Sequence, residues 1–337
     1  MLKILGDINF TDGFFDMGFG VGSVIKGGSD PFANLPRFKD DYWIGNFECV
    51  CSSVSNKKGT HANQFRIEPE YLAHVRHLDL YGVANNHVMQ HGENAYNEML
   101  EHISSFGASY FGTVNKRSHI FIHQGKSVSI SGFNQRPENF SKNPLYWAMP
   151  NYKDIEKEFN SIRSSDFKIA YIHWGNEFIS YPYSDQCFFA HWLIDVGFDL
   201  VIGMHPHVLQ GFEKYHEKYI FYSLGNAVFN MAWEPTQYSA LISVDLEKDH
   251  PQVSYQYIHL HNYFPELIDE ANVPSKIRFD SLNALLTNLP ENEIYYLQVF
   301  EAMDKYRKVN RLDILKNIYK LSPKDLKSIV IDYIKRR

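Results

Sequence analysis

Short apolar runs recur along the chain up to Tyr222. They lie at Leu2–Leu5, Tyr42–Ile44, Leu78–Ala84, Val128–Gly132, Ile169–His173, Leu200–Ile202 and Tyr219–Tyr222. Runs of this length and composition read as buried strands. Helical patterns stand between them. Pro69–His77 has a proline near its start, Glu93–Phe106 carries apolar residues at helical spacing, and Asp154–Arg163 and Asp185–Val196 are similar. Strands alternating with helices predict an α/β architecture with a layered sheet. Ala240–His261 is different, because apolar and polar residues alternate there with period two. That predicts antiparallel strands with one covered face.

After about Pro274 the pattern turns helical, over Ser281–Leu289, Glu291–Lys308 and Arg311–Tyr319. Ser322-Pro323-Lys324-Asp325 then opens a last helix, with Ser as cap and Pro in the first turn. The basic end Lys335-Arg336-Arg337 suits a helix C-terminus. The expected division is a main domain over residues 1–270 and a small helical appendage over 271–337. The appendage either packs on the main domain or offers a surface for a partner or for oligomerisation.

Charge narrows the function classes. The net charge of −6 gives no electrostatic case for nucleic acid or for an anionic membrane surface. It is uneven: from Lys276 onward 13 Lys and Arg face 8 Asp and Glu, a net of +5, which leaves −11 on residues 1–275. The three cysteines, Cys49, Cys51 and Cys187, are too few and odd in number for a disulfide framework. Cys49 and Cys51 read as small apolar residues on one strand face. MLKILGDINF turns polar too soon for a signal peptide, and no apolar stretch has the length of a membrane span. The expectation is a cytoplasmic protein with no membrane span.

The chemistry sits just after the strands. Leu2–Leu5 leads into Gly6-Asp7-Ile8-Asn9, and Tyr42–Ile44 into Gly45-Asn46-Phe47-Glu48. The third run ends in Asn85-Asn86-His87, the fifth in His173-Trp174-Gly175-Asn176-Glu177, and the sixth in Gly203-Met204-His205-Pro206-His207. Each alone is a common turn or a structural histidine. Five together mark the carboxyl ends of strands, where layered α/β sheets bind ligands. Carboxylate, amide oxygen and imidazole suit Mn²⁺, Fe²⁺, Zn²⁺ or Ni²⁺. Two such ions about 3.5–4 Å apart can clamp a phosphate and activate water.

The series GDIN, GNFE, NNH, YIHWG and GMHPH resembles the CapA family of poly-γ-glutamate capsule synthesis proteins, within the calcineurin-like metallophosphatase superfamily. Tyr222-Ser223-Leu224-Gly225-Asn226, Gln210 and Glu213 extend the resemblance, which covers roughly residues 1–245. It implies a four-layer αββα metallophosphatase-like sandwich and two divalent metal ions, with Mn, Fe or Zn expected. Asp7 and His207 would bind one ion, with His173 and His205 nearby. Glu48 would stand where the superfamily has a bridging Asp, Asn86 would serve the second ion, and His87 would give a proton to the leaving group. The implied function is a metal-dependent phosphoesterase or other hydrolase of surface-polymer biosynthesis. Its partner would be a phosphorylated small molecule or polymer precursor. A non-catalytic or ligase-assisting part in a capsule assembly complex is the alternative.

Three departures stand out. Asn9 replaces a superfamily histidine, Glu48 replaces an Asp, and Gln90-His91-Gly92 follows the NNH motif where the family often has Asp-Tyr-Gly. His91 either substitutes for that Asp in orienting His87 or is an ordinary surface residue. Arg66 either binds a substrate anion through its planar fork or makes a surface ion pair. Trp174 and Trp233 line a pocket or pack in the core. His259 and His261 read as structural, and Ser223 and Asn226 as residues that fix the loop around the site.

Overall fold

The computed structural model describes residues 1–12, 19–248, 250–321, 323, 326, 327, 330, 331 and 334. The last helix expected from Ser322 falls largely outside them. Among the described residues two large sheets carry the fold. The first runs in the order Phe264–Ile268, Gln252–His261, Tyr238–Asp245, Leu2–Ile8, Tyr42–Phe47, Leu80–Gly82, Ser109–Phe111, with Asn226–Val228 paired beside Leu2–Ile8. The second runs Phe212–Tyr215, Lys218–Phe221, Leu200–Met204, Phe167–His173, Lys126–Asn134, Ser118–His123.

Side-chain alternation explains the layering. In the second sheet Phe167, Ile169, Tyr171, Leu200 and Ile202 point to one face and join Leu2, Ile4, Ile44 and Leu80 of the first sheet in a shared core. Ala170, Ile172 and Val201 point the other way, onto the helices Tyr152–Ile162 and Ser184–Val196. Trp43 and Phe47 of the first sheet face outward with Ala95, Met99 and Ile103 of the helix Glu93–Ser105. Strands buried on both faces read as continuous apolar runs. The result is helix, sheet, sheet, helix: the α/β sandwich that the motif series implied. The period-two segments form the antiparallel strands Tyr238–Asp245 and Gln252–His261, as their alternation predicts.

The strands that carry the motifs are parallel within each sheet. Leu2–Ile8, Tyr42–Phe47 and Leu80–Gly82 run together, as do Lys126–Asn134, Phe167–His173 and Leu200–Met204. Their carboxyl ends therefore gather at one edge of the sandwich. In register, Asp7 stands beside Asn46 and Asn226, and His173 beside Met204 and Asn134. Glycine permits the sheets to close there. A Cβ on Gly6 would lie 2.0 Å from Gly225 O, and one on Gly203 would lie 2.1 Å from Tyr222 O. Two of the motifs thus need glycine so that the Tyr222–Asn226 segment can run directly against them.

Two helices differ from expectation. Pro69–Leu72 stops short of His77 because Ala73, His74 and Val75 close on residues three back, a tighter turn. The two segments expected around Lys308 and Arg311 form one helix, Asn292–Asn317. No Gly or Pro interrupts it, and Val309 and Asn310 are half-buried at the expected break. The start of the tail is tied into the body: Val273, Ile277, Phe279 and Leu282 pack in the core between the sheets. Cys49 and Cys51 are buried beneath the first sheet, and burial pushes both thiols up, so they are inert packing residues.

Candidate metal centre

Asp7, Glu48, Asn86, His173, His205 and His207 converge at the gathered strand ends, all buried. Donor atoms of Glu48, His205 and His207 lie within 4.8 Å of one another, and so do those of Asp7, Glu48 and His173. Glu48 belongs to both triplets. One of its carboxylate oxygens is 3.7 Å from His173 Nε2 and 3.8 Å from His207 Nε2. His207 Nδ1 is also 3.5 Å from Asp7 Oδ2. The triplets group Asp7 with His173 and His207 with His205, whereas the family resemblance paired Asp7 with His207.

A shell of amides orients this set. Asn46 Nδ2 donates to Asp7 Oδ1 at 2.7 Å and lies 3.2 Å from His173 Nδ1. His173 Nε2 is 2.8 Å from Asn86 Oδ1, so with Nδ1 accepting from Asn46 the proton sits on Nε2. His207 Nδ1 stands 3.0 Å from Asn226 Oδ1, which can only accept, so Nδ1 donates and Nε2 faces Glu48 with a lone pair. Asn85 Nδ2 braces Asn46 Oδ1 at 3.2 Å and Phe47 O at 2.9 Å. Ser223 Oγ donates to Val208 O at 2.7 Å. Ser223 and Asn226 thus fix the loop, as the sequence suggests, while Asn46 and Asn85 escaped it although both lie inside quoted motifs.

The set fits a cation better than it fits itself. Both oxygens of Glu48 and both ring nitrogens of His205 are buried with no hydrogen-bond partner. Each such group costs about 1–3 kcal/mol. His205 and His207 also sit in the left-handed region, with φ of 98° and 59°, on either side of Pro206. Strain of that kind collects at functional sites. Burial pushes Asp7 up to about 7, against hydrogen bonds from Asn46, from His205 and from Glu48 when that carboxyl is protonated. Burial, then the charge of Asp7 and that of Glu177, drives Glu48 well above the carboxylate range. Burial holds His207 down at about 3 and lowers His173 and His205 well below the usual imidazole range. Glu48, unpartnered as a carboxylate, together with Asp7 and the neutral imidazoles of His205 and His207, forms a donor set for divalent ions, which His173 joins on giving up its Nε2 proton.

His87 stands at the edge of the cluster, with Nε2 3.8 Å from Glu48 Oε1. Its ring stacks on Phe65 at 3.8 Å, and Gln90 Oε1 lies 2.9 Å from Nδ1. Gln90 therefore holds the ring where the family often has an Asp. Burial keeps this imidazole near 4, and so neutral. His91 is neither a substitute nor a surface residue. It is buried, with Nδ1 2.7 Å from Ser55 Oγ and Nε2 2.6 Å from Gln64 O.

Arg66 is not brought into the cluster. Its fork already serves four acceptors: Ala62 O, Ser52 O, Asn63 Oδ1 and Glu68 Oε1. It fastens the loop that presents Phe65 to His87. Trp174 is a core residue whose Nε1 donates to Tyr222 O at 2.8 Å, and Trp233 packs edge-on against Phe178. His259 lies on a strand, stacked on Tyr238. Near the cluster, Arg136 and Phe178 were missed by the sequence reading, and Glu177 was quoted in a motif without a role. Phe178 packs 6.0 Å from the His207 ring.

A family model described as bacterial capsule synthesis protein PGA_cap matches residues 3–231. The chain belongs to this family. Every strand-end residue of the PGA_cap cluster falls inside that span. The capsule biosynthesis protein CapA of Bacillus anthracis is 27% identical over 278 residues, covering 76% of this chain and 62% of that protein. The PGA biosynthesis protein CapA of Bacillus subtilis (strain 168) is 29% identical over 228 residues, covering 64% and 60%. The chain thus spans about three fifths of the length of the relatives it matches. Among solved structures, a 5'-nucleotidase from Candida albicans SC5314 aligns over 91% of this chain and 58% of its own, at a TM-score of 0.45 and 14% identity. No helix among the described residues of this PGA_cap chain is long and apolar enough to cross a membrane.

Proposed function

We propose that this PGA_cap chain is a dinuclear metal-dependent hydrolase that cleaves a phosphoester in capsule or other surface-polymer synthesis. The carrying observation is Glu48, shared between two donor triplets with both carboxylate oxygens buried and unpartnered. Asp7, His173, His205, His207 and Asn86 would hold the two ions, with Glu48 between them. When bound, such ions supply Lewis acidity and generate a nucleophile from water near neutral pH.

The chain's own residues supply the rest. Asn46 and Asn226 fix the ring orientations of His173 and His207. Phe65 covers one face of His87 and limits water there. Gln90 keeps the Nδ1 proton of His87 in place, so Nε2 is the atom that receives and returns a proton beside the reacting group. A phosphorylated precursor of the polymer is the substrate class, supported by the capsule-synthesis family of the chain and by the names of its relatives. Residues 271–337 are read as a helical appendage to the catalytic body.

The test is hydrolysis of p-nitrophenyl phosphate and bis-p-nitrophenyl phosphate by the folded chain loaded with Mn²⁺, Fe²⁺ or Zn²⁺. Metal-dependent turnover that a chelator abolishes supports the reading. A folded chain that takes up metal and hydrolyses neither ester contradicts it, and leaves a non-catalytic role.

A further inference from the structure

Arg136 lies two residues beyond Asn134, the register partner of His173. Its Nη1 donates to Gly175 O at 2.8 Å and to Asn176 Oδ1 at 3.1 Å. Its Nε and Nη2 have no hydrogen-bond partner among the described residues. Asn176 in turn donates to Tyr295 Oη at 3.3 Å, and Tyr295 is fully buried on the tail helix Asn292–Asn317. Three turns further along the same helix Tyr306 stacks on Phe178 at 4.0 Å and 18°. Phe178 is the residue that packs against the His207 ring. The tail helix therefore clasps segment 174–178 at two points, directly after the donor His173.

This clasp brings a charge close to segment 174–178. Arg307 follows Tyr306 and makes no hydrogen bond or ion pair among the described residues. Burial raises the Glu177 carboxyl, and the positive charges of Arg136 and Arg307 both pull against that rise. Yet neither arginine closes an ion pair with Glu177. Two guanidinium forks with idle donors thus stand beside segment 174–178, one from the sandwich and one from the tail. Their planar geometry matches carboxylate and phosphate, and a charge-assisted contact to either is strong.

We propose that Arg136 and Arg307 bind a second anionic group, carboxylate or phosphate, of a substrate whose reacting phosphate is held at the metal centre. The tail helix is then part of the substrate site, and Arg307 is a specificity-determining residue. This inference rests on the metal-centre reading above.

The experiment is titration calorimetry on the full chain loaded with Mn²⁺, using inorganic phosphate, pyrophosphate and phosphonoacetate as probes. The variants are Arg136→Gln and Arg307→Gln, with Lys308→Gln as control, because Lys308 pairs with Asp304 at 2.8 Å on the exposed face. The expected result is that each arginine variant loses about tenfold in affinity for a bifunctional probe, the loss of one charge-assisted contact. Phosphate affinity and metal content stay within threefold of the parent, and Lys308→Gln behaves as the parent. An effect confined to pyrophosphate identifies the second group as phosphate; one confined to phosphonoacetate identifies it as carboxylate. Equal losses for all three probes, or no loss for any, overturn the proposal while leaving the metal centre standing. A parent chain that takes up no metal refutes both readings.

Discussion

Replacing Asp7 by Asn separates a site built for a cation from a self-sufficient polar core. In the metal-free chain the Asp7 carboxyl is raised from 3.8 to about 7 by burial. A raised carboxyl binds its proton more tightly in the folded state. Stability is therefore intact below about pH 4 and falls as pH rises from there to 7. Three pH units at roughly 1.4 kcal/mol each make a cost of about 4 kcal/mol at pH 8. Asn cannot ionise and escapes it. The substitution carries its own penalty, because Asp7 accepts from Asn46 Nδ2 on one oxygen and from His205 N on the other, at 2.7 and 3.0 Å. One of these donors would face the new NH₂, at a cost of about 1–3 kcal/mol. The metal-free Asp7→Asn chain should thus be more stable than the parent by about 1–3 kcal/mol at pH 8, and less stable by a similar amount at pH 4. Urea unfolding at both pH values with excess chelator measures this. Adding metal at a hundredfold excess over Kd should stabilise the parent by about 2.7 kcal/mol and the variant far less. If the variant is the less stable chain at pH 8 without metal, hydrogen bonds alone hold the carboxylate, and the reading of Asp7 as a carboxylate that needs a cation fails.

The remaining expectations concern the groups around the cluster. His87→Ala should lower kcat for p-nitrophenyl phosphate by about 10²–10⁴-fold with metal content unchanged; a drop below tenfold takes His87 out of proton transfer. Gln90→Glu puts a carboxylate 2.9 Å from His87 Nδ1, now near pKa 4, and should move the His87 limb of the pH–rate profile up by about a unit or more. An unmoved limb would show that Gln90 does not govern that proton. Asn226→Ala removes the acceptor 3.0 Å from His207 Nδ1 and should weaken metal affinity by about 10–100-fold in chelator competition; unchanged affinity refutes its orienting role.

The parallel strands were legible because burial on both faces writes a strand as a short apolar run, and their ends were legible because the donors follow immediately. Asp7, Glu48, Asn86, His173, His205 and His207 all lie within four residues of a strand end. Local sequence could not show which carboxyl is shared or which imidazole faces which acid, since that depends on the packing of one sheet on the other. Arg66 was misleading for a related reason. Its neighbours in sequence supply the acceptors that occupy its fork, and nothing in Phe65-Arg66-Ile67 reveals that. Arg136 was invisible because its partners Gly175 and Asn176 lie 39 and 40 residues further along the chain, and Arg307 because its placement rests on the docking of a distant tail helix through Tyr295 and Tyr306.

The central claim is that Glu48 joins two metal positions in one buried site. Elemental analysis of the folded chain after loading and desalting tests it most directly. The account predicts two divalent ions per chain in the parent and none in Glu48→Ala, with both chains folded by circular dichroism. A parent chain that retains no metal, or a Glu48→Ala chain that still holds two ions, would contradict it.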